Sequence, residues 1–515
     1  MFYFIPSWYN KDKWTENEPY WYIRREHTEF DDTVKQMQLF GRNSVTSFRM
    51  IILSFTPNFR HFLHRQGVYH LDYWSCFDTL CDITAKKPKV FSFHDMNWPE
   101  GIEFMYSQFA VLAYLNGEKY AKVEFAEDGN PIEVDLYSGG EIIRKNVYDD
   151  RGILSLTETY KSGKVYCMEF RSQKGTWRAR HYEDDGHVEI NPEDKEYHIE
   201  NGSLKKTFTF SKEYYDSFEE LIKELLNSFA ETVKDEDIFC IAMHNLHIDI
   251  LREVLENKKK ILSFYEDRYD FNTPGTKEII EDAGYIITDS NETTKRVENA
   301  AGYVNNIIDI TPYDSRVDFG ISHQLMVQKI LVPVDDVSDE LFENIIKETG
   351  NYLTHNENAQ VHLFTRLADY DIKERLLEKT GNILKENNLQ AGWATEEEPR
   401  FIVEQCVDEL SVSRCMREQR IVVDLRKVPE LYLQITAISA GIPQIVARDT
   451  EYISDGENGF VIKDISELGE KLDYYLGSMA NWNQALIYSY ELTKKYTTKV
   501  LVKKWKGVIK QVEQC

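Results

Sequence analysis

Residues 431–460 read LYLQITAISAGIPQIVARDTEYISDGENGF, and the order of parts in this run decides the architecture. A helix of small and apolar residues around Thr436 to Ala440 gives way to Gly441-Ile442-Pro443. A short strand follows at 444–447, and then a loop, Glu451-Tyr452-Ile453-Ser454-Asp455-Gly456-Glu457-Asn458-Gly459-Phe460. Gly441 lets the helix end turn before Pro443, which cannot continue a helix. Helix, tight turn and strand in this order mark an α/β layer.

The run resembles the sugar-nucleotide half of retaining glycosyltransferases with two Rossmann domains, the GT-B type. In that family the region carries a Glu, seven residues and a second Glu that opens the helix, followed by Gly-x-Pro, a strand and a Glu-x-Ile-x-Asp-Gly-x-Asn-Gly loop. Helix, turn and loop are all present here. Counted back from Gly441, the two Glu positions hold Thr436 and Val428. Neither side chain can act as a base, balance developing positive charge, or hold a ribose through two carboxylate oxygens. Glu430 stands two residues from the first position, which on a strand-to-loop transition is a different place. The resemblance thus implies a binding protein rather than an enzyme. An ordinary α/β turn and helix is the other reading, because a fold alone does not fix a function.

Composition bounds the function classes. At 515 residues the chain exceeds a single core and calls for two or three domains. Its 42% hydrophobic and 13% aromatic content is that of a folded chain rather than a disordered one. A net charge of −26 disfavours nucleic acid and anionic membrane as general partners. One local exception is the C-terminal segment, where Lys494, Lys495, Lys499, Lys503, Lys504, Lys506 and Lys510 alternate with Val500, Leu501, Trp505, Val508 and Val512. It reads either as a membrane-facing amphipathic helix or as a terminal helix that packs its apolar stripe onto the body of the protein.

Seven cysteines, odd in number and irregular in spacing, fit free thiols in a reducing compartment. Cys76 and Cys81 have no second Cys/His pair near them in sequence, and the i, i+3 pair His244 and His247 lacks an evident third ligand. Neither a metal nor a cofactor is expected. The opening MFYFIPSWY reads as a first strand rather than a signal peptide, and no run approaches membrane-spanning length. The expected location is the cytoplasm.

Along the chain, 2–6 reads as an apolar strand, 30–40 as a helix, and 50–54 and 89–93 as buried strands, the alternation of an α/β layer. No Gly-rich phosphate loop follows the first strand, where Pro6-Ser7-Trp8-Tyr9 stands instead. From 112 to 210 the period drops to two, with turns at Gly129, Gly152, Gly163, Gly175 and Gly186, the pattern of an antiparallel meander. Its aromatics and edges offer strand addition to an extended polypeptide or stacking for sugar rings; equally, the aromatics fill a half-buried face. Alternation then returns, with strands at 238–243, 260–265 and 284–288 and helices at 248–257 and 277–283. A crossing segment at 310–319 leads to strand 329–333, helix 341–353, strand 360–365, helix 370–384 and strand 420–424. The expected fold is α/β and GT-B-like: a first Rossmann-like domain in two parts (1–111 and 211–318), an inserted antiparallel sheet (112–210), a second Rossmann-like domain (319–485) and a C-terminal helix (486–515) that crosses back. Ligands in such folds bind at the carboxyl ends of the strands.

Three stretches narrow the family. FIPSWY at 4–9, Phe30-Asp31-Asp32-Thr33-Val34-Lys35-Gln36, and Pro429-Glu430-Leu431-Tyr432-Leu433-Gln434 together resemble the first accessory secretory protein of the accessory Sec system of Gram-positive bacteria, over essentially the whole chain. The inserted sheet is similar to that of the glycosyltransferases that modify serine-rich repeat adhesins in the same system. The resemblance implies a non-catalytic, glycosyltransferase-like adaptor, cytoplasmic and peripheral to the export site. It implies assembly with the second and third accessory secretory proteins, capture of the glycosylated serine-rich repeat adhesin, and delivery to a dedicated SecA-type motor ATPase. Membrane association would come only through the translocation machinery, and nucleic acid is no partner.

Candidate ligand-binding residues are few, and none is assigned a catalytic role. Arg366, just past strand 360–365, stands roughly where a glycosyltransferase places a basic residue for a nucleotide diphosphate, since a guanidinium can fork two phosphate oxygens; a surface ion pair is its other reading. Gln434 and Thr436, beside the vacated carboxylate position, offer hydrogen bonds to sugar hydroxyls, and Thr436 also reads as an N-cap. Two further functions stay open. An active glycosyltransferase acting on the adhesin would need a carboxylate from Asp369, Asp371 or Glu430. A purely structural scaffold would leave the cleft empty.

Overall fold

The computed structural model describes residues 1–15, 31–68, 70–85, 87–302, 304–389 and 399–514. Its first strand, Phe2–Ile5, is buried along its whole length and sits inside a seven-stranded parallel sheet. The order is Ile307–Asp309, Tyr285–Thr288, Lys259–Phe264, Ile238–Ala242, Phe2–Ile5, Phe48–Ile52, Tyr73–Ser75. Side chains alternate across a strand, so Tyr3 and Ile5 join one core with Phe229 and Phe239, whereas Phe2 and Phe4 join another with Phe40 and Trp505. A strand apolar on both faces is what a parallel sheet covered by helices demands.

The second of these cores settles the C-terminal segment. Helix Thr498–Gln514 buries Leu501, Trp505, Val508, Ile509 and Val512 against the first sheet, and the Trp505 ring stands edge-on to Phe40 at 5.0 Å. The apolar stripe packs on the body of the protein and is not presented to a membrane. The single helix expected over 486–515 is two, Met479–Thr493 and Thr498–Gln514, separated by a 3-10 turn at Lys494–Tyr496.

Between the two parts of the first half lies a ten-stranded antiparallel sheet running from Ile102–Tyr106 at one edge to Tyr214–Tyr215 at the other. It starts earlier than the alternation at 112 suggests, because the exposed residues of Ile102–Tyr106 blur the period. A separate hairpin, Glu196–Asn201 with Leu204–Thr209, leaves that sheet and docks on the first half, where Asn201 Nδ2 donates to Thr232 Oγ1 at 3.1 Å. Residues 89–93 form no strand: Val90 is exposed, and Lys89 N donates to Arg151 O at 2.9 Å instead of to a ladder. That contact explains a glycine, since a Cβ on Gly152 would fall 2.5 Å from Lys89 O. The expected helix at 30–40 is Asp32–Asn43, N-capped by Asp31, whose carboxylate accepts from Thr33 and Val34 N; Phe30 lies outside the described residues.

The second half carries a six-stranded parallel sheet in the order Phe401–Gln405, Ala359–Thr365, Gln328–Pro333, Ile421–Asp424, Gln444–Val446, Gly459–Val461. Its edge strand Phe401–Gln405 and the helix Glu409–Met416 fall where the sequence pattern names no element. Among the described residues, no helix is long and apolar enough to cross a membrane.

Candidate functional site

Parallel strands end on one side of their sheet, and in the second half those ends gather charge. Asp335, just beyond Gln328–Pro333, accepts from Thr365 Oγ1 and from Arg366 N, each at 2.6 Å. Asp424 closes Ile421–Asp424 and pairs with Arg426 at 2.7 Å, both side chains buried. Arg366 Nη1 in turn donates to Glu430 Oε1 at 2.6 Å. Glu430 is the N-cap residue of helix Leu431–Ala440, yet its carboxylate makes no capping bond and serves Arg366 instead. Burial pushes the Glu430 carboxyl above its ordinary value against the opposing pull of Arg366 and Arg426.

The other candidates sit behind this group. Thr436 is not an N-cap, because the helix starts five residues earlier; its hydroxyl donates to Tyr432 O at 2.7 Å. Gln434 is 1% exposed, and its Oε1 accepts from Thr450 Oγ1 at 2.9 Å. Val428 projects into solvent. Of the alternative carboxylates, Asp369 meets Arg375 at 3.3 Å and Asp371 meets the same guanidinium at 3.7 Å.

A cavity of about 430 Å³ opens between the halves, within the range of ligand sites. The second half contributes Val428, Pro429, Leu431 and the loop from Arg448 to Glu451, with Ile453; the first contributes Glu266, Asp267 and the run Asp289 to Thr293, with Lys295 and Arg296. Neither Arg366, Gln434 nor Thr436 is part of this wall. Gln434 reaches it through Thr450. Six of the lining residues are acidic and three basic. Burial raises the Glu451 carboxyl to about 7, helped by the nearby charges of Asp289 and Asp309, and raises Asp289 as well. Glu266 faces cavity solvent but is hemmed in by protein, and burial with repulsion from Asp289 lifts it to about 7. Thr450 and Arg448 lie inside the decisive run 431–460, so their place at the cleft was within reach of the sequence. Arg296 carried no signal, as an isolated arginine on a helix reads as a solvated face.

The halves are tied together around this cavity. Arg448 bonds Glu292 at 2.9 Å, Lys35 pairs with Glu409, and the Tyr313 ring stands edge-on to Tyr432 at 5.2 Å. Deeper in the first half, Arg268 pairs with Asp32 at 2.5 Å and Asp31 at 3.2 Å. The two histidines flagged for metal are spent on structure. His247 bonds Tyr9 Oη at 2.7 Å and Ala242 O at 2.8 Å, and burial lowers it to about 3. His244 Nε2 faces Asp12 at 3.1 Å.

Two parallel α/β layers facing a cleft, with an antiparallel sheet set into the first, make a GT-B-like fold. The pneumococcal O-GlcNAc transferase GtfA, solved with UDP and GlcNAc, shares this fold at a TM-score of 0.72 over 99% of both chains and 12% identity. The family model of the accessory Sec system protein, accessory secretory protein 1, matches residues 1–512, and the chain belongs to that family. A relative from Streptococcus gordonii bearing the same family description is 29% identical over 541 residues, covering 99% of each chain. The crystal structure of accessory secretory proteins 1, 2 and 3 of Streptococcus pneumoniae contains a chain that is 27% identical, with a TM-score of 0.79 and full coverage of both.

Proposed function

We propose that this chain is a non-catalytic adaptor that grips a glycosylated serine-rich polypeptide in the cleft between its halves and presents it for export. The observation that carries this reading is the electrostatic character of the cleft. Six acidic against three basic residues line it, which opposes a nucleotide diphosphate but suits a neutral sugar, whose hydroxyls donate to carboxylates. The arginine expected to fork a diphosphate is held by Glu430, and positions 428 and 436 hold Val and Thr. With Val and Thr at the two positions where such transferases carry glutamates, a bound sugar is held and not turned over. A serine-rich repeat offers many copies of one weak epitope, so modest affinity per site multiplies by avidity.

The partners follow from the family. Its pneumococcal relative was solved together with accessory secretory proteins 2 and 3, and this chain assembles with their counterparts in the same way, in the cytoplasm, before hand-over to a SecA-type motor. Calorimetric titration with a serine-rich repeat peptide, bare and glycosylated, beside a panel of nucleotide sugars monitored for turnover, tests the reading. Saturable binding of the glycosylated form with no sugar transfer is expected. Steady transfer would replace it with the glycosyltransferase reading. Equal indifference to both peptides would leave the scaffold reading.

A further inference from the structure

At the edge of the second sheet three soft and hard ligand atoms converge. The edge strand Phe401–Gln405 pairs with Ala359–Thr365, and Cys406 N extends the ladder by one step, donating to Thr365 O at 2.9 Å. Because side chains alternate, Glu404 and Cys406 lie on the same face. Helix Glu409–Met416, started by a reciprocal cap between Asp408 and Ser411, covers that face with Val412 and Met416. Cys415 rides on the flank of the same helix. The result is that Glu404 Oε, Cys406 Sγ and Cys415 Sγ all lie within 4.8 Å of one another.

We propose that Glu404, Cys406 and Cys415 form a binding site for a thiophilic divalent cation of the zinc class, with a water completing the tetrahedron. Zinc bonds thiolate sulfur at about 2.3 Å, which sets two sulfurs about 3.8 Å apart, so closure asks for side-chain adjustments of roughly an ångström. The surroundings fit. His362 Nδ1 bonds Glu404 Oε1 at 2.8 Å from a side chain that is 2% exposed, the carboxylate–imidazole support that orients a metal-bound carboxylate. Gln419 Nε2 lies 3.5 Å from Cys415 Sγ. Glu404 retains about a third of its exposure, at 32%, and Cys415 is half-buried, so an ion has a way in.

The test uses the full chain, purified reduced and metal-free and titrated with zinc chloride against a chromophoric chelator. One equivalent per chain is expected, with two thiols protected from a disulfide reagent on loading and a zinc absorption edge showing two sulfur and two oxygen or nitrogen neighbours. Cys406→Ser and Cys415→Ser should each lose the equivalent while keeping the near-ultraviolet circular dichroism of the parent. His362→Gln should weaken binding about 10-fold. Absence of stoichiometric uptake by the reduced parent overturns the site. So does uptake that survives in both serine variants, or a coordination shell without sulfur.

Discussion

Arg366 and Glu430 form a 2.6 Å ion pair that joins the end of one strand to the start of the helix opening the decisive run. The guanidinium is thereby turned inward, toward a carboxylate of its own chain. Breaking such a pair leaves a charge without its partner in a poorly solvated place, which is costlier than the pair itself is favourable. Both side chains keep a little under a fifth of their exposure, at 17% and 19%, so solvent softens the loss. Glu430→Ala is expected to lower unfolding free energy by about 2 kcal/mol and Glu430→Gln by less, read from urea denaturation midpoints.

The cavity wall and the strand-end group make separable predictions. Thr450 and Arg448 face the cavity, whereas Arg366 and Thr436 do not. Thr450→Ala with Arg448→Ala should weaken glycosylated-peptide binding about 10-fold or more, close to 1.4 kcal/mol. Arg366→Ala with Thr436→Ala acts on the site only through Glu430 and the helix, and should weaken it less. Calorimetry on both double variants orders them. Capture and export that survive both would sink the cleft reading.

The carboxyls of the cavity predict a pH response. Glu451 and Glu266 move from an ordinary value of 4.5 to about 7, with burial the leading cause, and Asp289 moves the same way from 3.8. A raised acid binds more protons folded than unfolded across that window, so its contribution to stability falls as pH rises from about 4.5 to about 7 and is fully lost above it. Glu451→Gln removes one such group. It should raise stability on the order of 1 kcal/mol at pH 8 and leave it unchanged at pH 4.5, seen as a flatter melting temperature against pH.

Gly441 ends helix Leu431–Ala440 in the left-handed region, with φ 73°. A Cβ there would lie 2.8 Å from Leu486 Cγ and 3.2 Å from Phe319 Cδ1. Conformational strain and overpacking act together, so Gly441→Ala should cost about 2 to 4 kcal/mol. Thermal unfolding beside the open-surface control Gly469→Ala, whose Cβ meets nothing, isolates the effect.

Sequence and structure part company for identifiable reasons. The α/β layers were legible because fully apolar strands such as Phe2–Ile5 and Ile238–Ala242 alternate with helices, and the turns at Gly129, Gly152, Gly163, Gly175 and Gly186 announced the meander. Residues 89–93 misled, since the apolar side chains of Val90, Phe91 and Phe93 read as a strand whether or not a ladder partner exists. At the cleft, sequence placed Gln434 and Thr436 near the site by their distance from the missing carboxylates. It was blind to rotation about the helix axis, which turns Gln434 inward to Thr450 and gives Thr436 back to the carbonyl of Tyr432. The pairing of Cys406 with Cys415 was invisible for a different reason: a strand and a helix folded back on each other bring together residues whose spacing matches no short metal motif.

The last prediction concerns how the C-terminus holds the first half together. Helix Thr498–Gln514 packs its apolar stripe into the core on one face of the first sheet, together with Phe40, Ile261 and Tyr285. Trp505 is its largest buried side chain, 1% exposed, and its ring packs against Phe40 of the helix that carries Asp32. Removing the indole leaves a void bounded by two helices and a sheet that cannot all collapse into it. Trp505→Ala should therefore cost about 3 to 5 kcal/mol, whereas Lys506→Ala, on the exposed side, should change stability by less than about 0.5 kcal/mol. If the helix instead served a membrane, the tryptophan variant would keep its denaturation midpoint and lose vesicle binding. Urea unfolding and vesicle sedimentation of the two variants decide between these outcomes, and loss of stability without any change in sedimentation is the result the packing requires.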